Sequence, residues 1–296
     1  MDFKREYQKA LALVEGELRG AFADTMDGPH RELLEAMRYS LLAGGKRVRP
    51  VLTLKFCEAL CGQMEPALDY ACGVEMLHTY SLIHDDLPCM DNDRLRRGLP
   101  TTWVQYGYDM AVLAGDALAL YAFETAARAL GGAERPGAVA ECMGLLAGKS
   151  GIGGMIGGQT VDVELSGKPI DPQRLDFIYR LKTGALLEVS MMIGAILGGA
   201  DDSQVEAVEK MASLVGQAFQ IQDDILDLTG TTEVLGKPVL SDEKNEKTTY
   251  VSLYGMEKAR EAVRDLSAQA KELLWSLPGD HDFLEYLMDM LITREK

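Results

Sequence analysis

Phe219-Gln220-Ile221-Gln222-Asp223-Asp224-Ile225-Leu226-Asp227 is the stretch on which the reading of this chain turns. Gln220, Asp223, Asp224 and Asp227 recur at i, i+3, i+4 and i+7, so on an α-helix they form one polar stripe. Phe219, Ile221, Ile225 and Leu226 leave the other face apolar enough to pack. A polar stripe on such a helix belongs at a cavity. A second acidic run, Asp85-Asp86-Leu87-Pro88-Cys89-Met90-Asp91, lies far away in the chain. Two charges about 4 Å apart at an effective dielectric near 20 repel by roughly 4 kcal/mol, so six carboxylates are costly to gather without a cation. Aspartate oxygens suit Mg²⁺, which commonly bridges to phosphate oxygens. A solvated acidic face is the competing reading of one such run. Two runs, each set in apolar sequence, favour a cation and point to diphosphate chemistry.

Leu68 to His84 contains no Pro and only Gly73 as a weak helix former, so it reads as one helix leading into the first run. Glu75, His78, Leu82 and Asp85 share a stripe of that helix. Pro88 lacks an amide donor and clashes with the carbonyl four residues back, so the helix should end or kink there. Asp91, six residues from Asp85, then has a route to fold back toward the same cation. Glu32 to Leu42 also reads as a helix, closed by Gly44-Gly45.

Apolar residues make up 47% of the 296-residue chain and aromatics only 7%, and long strand-like alternation is absent, which favours an all-α fold. No Pro/Ser-rich linker or low-complexity segment marks a boundary, so residues 1–296 read as a single domain. The formal charge of −16 argues against nucleic acid as a partner. It also means that any anionic substrate must be held by metals and a few placed cations, against the long-range field. Five cysteines without a CxxC pair point to a reduced compartment, and the amino terminus lacks an apolar signal core. The expectation is a cytoplasmic protein. No segment reads as a membrane span of about 18 apolar residues; Leu186 to Ala200, interrupted by Glu188, reads as a buried helix.

The cations to match are few. Lys46 and Arg49, in Gly44-Gly45-Lys46-Arg47-Val48-Arg49-Pro50, are three apart and suited to one anion. Arg96-Arg97 follows the first acidic run, and arginine offers a planar fork of donors for phosphate. Lys182-Thr183, Lys237 and Lys247 add further candidates, each on its own an ordinary surface residue. His78 lies one to two helical turns before Asp85, where a functional imidazole and an ordinary core one are equally in keeping. Gly153-Gly154 and Gly157-Gly158-Gln159 lack the order of a phosphate loop and read as close helix packing.

Taken in order, GGKRVRP, HDDLPCMDNDRLRRG, KTG, GQAFQIQDDILD and GKP followed by KTTY resemble the short-chain trans-prenyltransferases, or polyprenyl synthetases, from about Leu33 to Tyr250. The resemblance implies an isoprenoid synthase-type bundle of about ten helices around a deep central cavity, usually as a homodimer. It implies Mg²⁺, three ions by similarity with Mn²⁺ as the other candidate, held principally by Asp85, Asp91 and Asp223 and supported by Asp86, Asp224 and Asp227. Arg96, Lys182, Thr183, Gln220, Lys237 and Lys247 would contact the allylic substrate; Lys46, Arg49, His78 and Arg97 would hold isopentenyl diphosphate. Arg94 departs from the acidic residue many relatives carry there. The implied reaction is ionisation of the allylic diphosphate, attack by isopentenyl diphosphate and loss of a proton.

Product length would follow cavity depth. Tyr80 lies five residues before Asp85, about 7.5 Å down the helix, while Ser81 points more squarely along the Asp85 face, so geometry alone singles out neither. By resemblance, a bulky residue at Tyr80 is the block of bacterial farnesyl diphosphate synthases, which favours farnesyl over geranylgeranyl diphosphate. A terpene cyclase or squalene-type synthase is disfavoured by Lys46, Arg49 and the second acidic run. An inactive binding subunit is disfavoured by the intact aspartates and cations. The carboxyl end, with Arg294, reads as a frayed tail or a flap over the site.

Overall fold

The computed structural model describes residues 2–22, 28–229 and 248–292. Lys237, Lys247 and Arg294 lie outside the described residues. The described chain is all-α apart from one small hairpin, in agreement with the sequence. Its helices are α1 (Phe3–Gly20), α2 (Arg31–Leu41), α3 (Val48–Cys61), α4 (Leu68–Asp85), α5 (Thr102–Tyr106), α6 (Tyr108–Ala127) and α7 (Pro136–Ser150). They continue as α8 (Met155–Glu164), α9 (Pro172–Ile178), α10 (Ala185–Gly198), α11 (Asp202–Thr229), α12 (Tyr250–Tyr254), α13 (Met256–Ser276) and α14 (Asp282–Ile292). The two-residue strands β1 (Leu95–Arg96) and β2 (Leu99–Pro100) pair antiparallel after the first acidic run.

The centre of the bundle is α10, in which every residue but Leu197 is buried. It packs on α3, α7 and α11. Gly194 allows the approach to α3, since a Cβ there would sit 2.7 Å from Phe56 Cβ and closer still to the Thr53 carbonyl. The acid that interrupts this apolar run, Glu188, is buried but paired: Lys149 Nζ on α7 donates to it at 2.5 Å and to Glu209 on α11 at 2.7 Å. A buried carboxylate is tolerable only with such a partner.

Composition alone tests the expectation of no membrane span without overturning it. Two helical stretches, Tyr108–Leu130 and Pro172–Gly198, are each long and apolar enough to cross a membrane by composition. The second is 83% buried within the bundle, so its apolar character is that of a core helix. Reading Leu186 to Ala200 alone missed its length, because α9 and α10 join without a break through a single π-helical turn, Tyr179–Gly184. The first stretch is only 39% buried.

Candidate active site

The two acidic runs sit at the carboxyl ends of α4 and α11, as their helical spacing predicts. Helix α4 stops at Asp85, with Asp86 as its cap. Beyond Pro88 the chain turns back, and the Asp91 amide donates to the Asp85 carbonyl at 2.9 Å. The break at Pro88 therefore does bring Asp91 back beside Asp85. Burial pushes the Asp85 carboxyl up to about 6, against the pull of Lys182 and with a further push from Asp91. Asp85 is an acid set beside another acid in a low-dielectric wall.

Three cavities run in series past these residues. One of about 650 Å³ is lined by Lys46, Arg49, His78 and Arg97, with Phe219 of α11 and Tyr286 and Asp289 of α14 on the far side. The next, about 710 Å³, shares Arg49 and His78 with the first and is lined by Asp85, Tyr80, Ser81 and His84 of α4, Val112 of α6, Gln159 of α8 and Leu186 of α10. Lys182 and Thr183 line this cavity and also a third of about 110 Å³, whose walls include Asp162, Tyr179, Gln220 and Asp224. All four residues assigned by resemblance to one diphosphate thus line one cavity. Lys182, Thr183 and Gln220, assigned to the other, gather at the opposite end.

The cationic end depends on backbone the side chains alone do not predict. Helix α2 ends at Leu41, and Gly44 and Gly45 take φ of 86° and 131°. Those values admit only glycine readily, and a Cβ on Gly45 would lie 2.9 Å from the Arg97 guanidinium carbon. Arg97 in turn donates to the Gly44 carbonyl. Between Lys46 and Arg49, Arg47 turns inward: its fully buried side chain donates to Glu75 at 2.7 Å, Glu15 at 2.8 Å and the Leu41 carbonyl at 2.6 Å. Arg47, with its guanidinium taken up by these partners, anchors the loop in the wall of the cavity that Lys46 and Arg49 also line. Burial, reinforced by Arg49 and Arg97, holds the His78 imidazole well below its ordinary value, so it meets the cavity as a neutral group.

At the opposite end the π-helical turn carries Lys182 and Thr183. Such turns insert an extra residue and re-aim side chains, frequently at functional sites. Burial alone would lower Lys182, but Asp162, accepting from its Nζ at 2.5 Å, outweighs that and holds the ammonium above its ordinary range. Thr183 Oγ1 donates to Gln220 Oε1 at 2.9 Å. Of the second acidic run, Asp224 is buried and accepts from the Tyr179 hydroxyl at 2.5 Å and the Tyr250 amide at 2.8 Å. Asp227 is also buried, and Asp223 is half-buried. Arg96 is engaged by Asp86, its Nε and Nη2 lying 2.6 to 2.9 Å from the carboxylate. Arg94 lies over the Trp103 ring, 5.2 Å from its centroid, and so pins the hairpin beside the acidic run.

Sequence reasoning missed Gln159, whose Nε2 donates to Asp85 at 2.8 Å, and Asp162, the partner of Lys182. Their i, i+3 spacing after Gly157-Gly158 was the available signal. The packing reading of that stretch holds, since a Cβ on Gly158 would lie 2.8 Å from the Leu181 carbonyl carbon. Among the described residues no three His, Cys, Asp or Glu groups stand close enough to hold a metal ion. The donor chemistry is nonetheless suited to one: hard carboxylate oxygens, Asp85 lining one cavity and Asp224 the adjoining one, with Asp85 burdened by burial and a neighbouring acid.

The polyprenyl synthetase family model matches residues 30–275. A chloroplastic geranylgeranyl pyrophosphate synthase of Capsicum annuum is 49% identical over 241 residues, 81% of this chain and 65% of its own length. A farnesyl diphosphate synthase of Geobacillus stearothermophilus is 42% identical over 274 residues, 93% of this chain and 92% of its own. The apo crystal structure of an FPP/GFPP synthase from Zymomonas mobilis superposes with a TM-score of 0.84 at 35% identity, covering 99% of this chain and 100% of that one. The chain therefore belongs to the polyprenyl synthetase family and is a trans-prenyltransferase, one that condenses isopentenyl diphosphate with allylic diphosphates in a family that uses divalent metal ions.

Proposed function

We propose that this enzyme makes farnesyl diphosphate, by Mg²⁺-dependent condensation of isopentenyl diphosphate with dimethylallyl and then geranyl diphosphate. The observation that carries the reading is the series of cavities: a cationic one, an apolar one and an acid-and-lysine one, joined through Arg49 and His78 and through Lys182 and Thr183. Two phosphorylated substrates and one apolar tail fit that order. Asp85, Asp91 and Asp223 would hold Mg²⁺, with Asp86, Asp224 and Asp227 behind them. When bound, the metal supplies Lewis acidity to the departing diphosphate.

The chain's own residues do the rest. Lys182, kept protonated by Asp162, offers fixed positive charge to the leaving group. Lys46, Arg49 and Arg97 hold the second diphosphate so that its double bond faces the allylic carbon, and neutral His78 orients it by hydrogen bonding rather than by charge. The apolar wall around Leu186 and Val112 keeps water from the allylic cation. The proton lost from the new chain leaves with the released diphosphate. Arg96 meets substrate already paired with Asp86 through Nε and Nη2.

The farnesyl reading rests on Tyr80, 8% exposed, whose phenol lines the tail cavity. Geranylgeranyl diphosphate is the second reading, favoured by the 49% identity to the Capsicum annuum enzyme. Incubation with isopentenyl and dimethylallyl diphosphates and Mg²⁺, then mass spectrometry of the dephosphorylated alcohols, separates them. Farnesol supports the proposal; geranylgeraniol refutes Tyr80 as the stop.

A homodimer is part of the proposal. Helix α6 leaves Tyr108, Leu113 and Leu120 exposed, Leu120 by 74%, and Ile152 and Ile156 are exposed by 92% and 48%. Exposed apolar side chains of this kind suit a second copy of the chain. A single domain over residues 1–296 and a cytoplasmic, reducing setting complete the reading, the latter supported by five free thiols.

A further inference from the structure

Gly115 of α6 lies directly beneath the imidazole of His84. A Cβ built on it would fall against Nε2, Cδ2 and Cε1 of that ring, closer than real Cβ contacts occur. The space left by the missing methyl group lets the imidazole lie on the α6 backbone, where Nε2 donates to the Val112 carbonyl at 3.1 Å. From there the ring meets Tyr80 edge to face, with centroids 5.8 Å apart and planes at 81°. Tyr80, His84 and Val112 all line the apolar cavity.

We propose that Gly115 is a positioning residue for product length: by seating His84 against α6 it sets how far His84 and Tyr80 together close the tail cavity. The inference rests on the reading above, that this cavity takes the growing prenyl chain. The neighbours of the ring favour its yielding toward the cavity. Helices α4 and α6 are held together at Gly73, where a Cβ would come 2.9 Å from the Ala122 carbonyl. Tyr80 packs against the imidazole, Asp116 Oδ1 stands 3.8 Å from its Nε2, and the ring lines the cavity. A methyl group at 115 therefore moves the imidazole into the space meant for the tail, whereas removing the imidazole opens that space. Neither effect involves the charge of His84.

The test compares Gly115→Ala, His84→Ala and the double variant with the parent enzyme. Each is given isopentenyl and dimethylallyl diphosphates with Mg²⁺, and the C10, C15 and C20 alcohols are quantified after dephosphorylation. The readout is the product ratio at matched conversion of the allylic substrate, which a general loss of stability or rate leaves unmoved. Gly115→Ala is expected to raise the C10 share relative to C15 by about tenfold, the scale of one methyl group in a hydrophobic pocket. His84→Ala should shift products toward C20. The double variant should follow His84→Ala, because the added methyl group then has no ring to push. An unchanged ratio in Gly115→Ala overturns the proposal, as does a double variant that keeps the full Gly115→Ala shift. If Gly115→Ala does not fold, His84→Ala decides, and a parental distribution from it overturns the proposal. A parent enzyme that yields no prenyl alcohol refutes the functional reading instead, and that result is distinct from an unmoved ratio.

Discussion

Replacing Arg47 by Met tests whether the cation between Lys46 and Arg49 is an anchor or a ligand. Its side chain is 0% exposed and Glu75 is 2% exposed. The substitution removes three hydrogen bonds, to Glu75, Glu15 and the Leu41 carbonyl, and leaves the Glu75 carboxylate buried without its counter-charge. Breaking a buried pair from one side costs about 3–5 kcal/mol, because the surviving charge stays desolvated. An unfolding entropy of about 2.1 cal/mol/K per residue gives roughly 0.6 kcal/mol/K for this chain. The expected loss of Tm is therefore about 5–8 °C, read by calorimetry or by circular dichroism at fixed protein concentration. Adding Glu75→Leu to Arg47→Met should recover most of the loss, since two apolar groups in place of a buried pair are close to neutral. Lys46→Met, next door but exposed, should stay within about 0.5 kcal/mol while raising the KM for isopentenyl diphosphate. A Tm drop below about 2 °C in Arg47→Met would refute the anchoring role. So would a double variant no more stable than the single one.

Three further outcomes follow from the same geometry. His78 stays neutral in the fold, but once unfolded it takes up a proton near its ordinary value of 6.5, so its contribution to stability is full above that pH. Below about pH 6.5 the contribution falls by up to roughly 1.4 kcal/mol per pH unit; urea unfolding at pH 5.5 and 7.5 should show that part of the slope vanish in His78→Gln. Gly158→Ala forces a Cβ against the Leu181–Lys182 backbone and should cost about 1–3 kcal/mol by overpacking, with kcat falling as Lys182 is displaced; unchanged urea midpoint and kcat would count against that packing. Leu120→Glu replaces the most exposed leucine of α6 by a charge and should convert a dimer to a monomer by light scattering, while a dimer that persists puts the interface elsewhere.

The helices that carry the acidic runs were legible because their signals are local. Leu68 to His84 has no breaker, and the observed α4 runs from Leu68 to Asp85. Pro88 announces its own break, and Asp91 returns to the Asp85 carbonyl as that break allows. The stripe of Gln220, Asp223, Asp224 and Asp227 does lie on one helix. Arg47 was not legible, because what separates it from Lys46 and Arg49 is a left-handed backbone at φ 51° that turns it into the core, a consequence of the loop's tertiary packing. The π-helical turn under Lys182 and Thr183 escaped for a related reason: it interrupts no apolar periodicity that a 3.6-residue pattern would register.

Gln159 and Asp162 mark a different limit. Each is a polar residue in a short Gly-flanked helix, and nothing in their spacing names a partner. Their roles come from what α8 faces: Asp85 across the cavity and Lys182 on the π-helical turn. Gly158 brings the α8 backbone against Lys182, which puts Asp162 within reach of its ammonium. A glycine read as packing and an aspartate read as nothing thus act together, and the ion pair of the central lysine depends on both. Chemistry placed by helix contacts of this kind is written in the pairing of segments far apart in the chain. A single sequence records each half without recording the match.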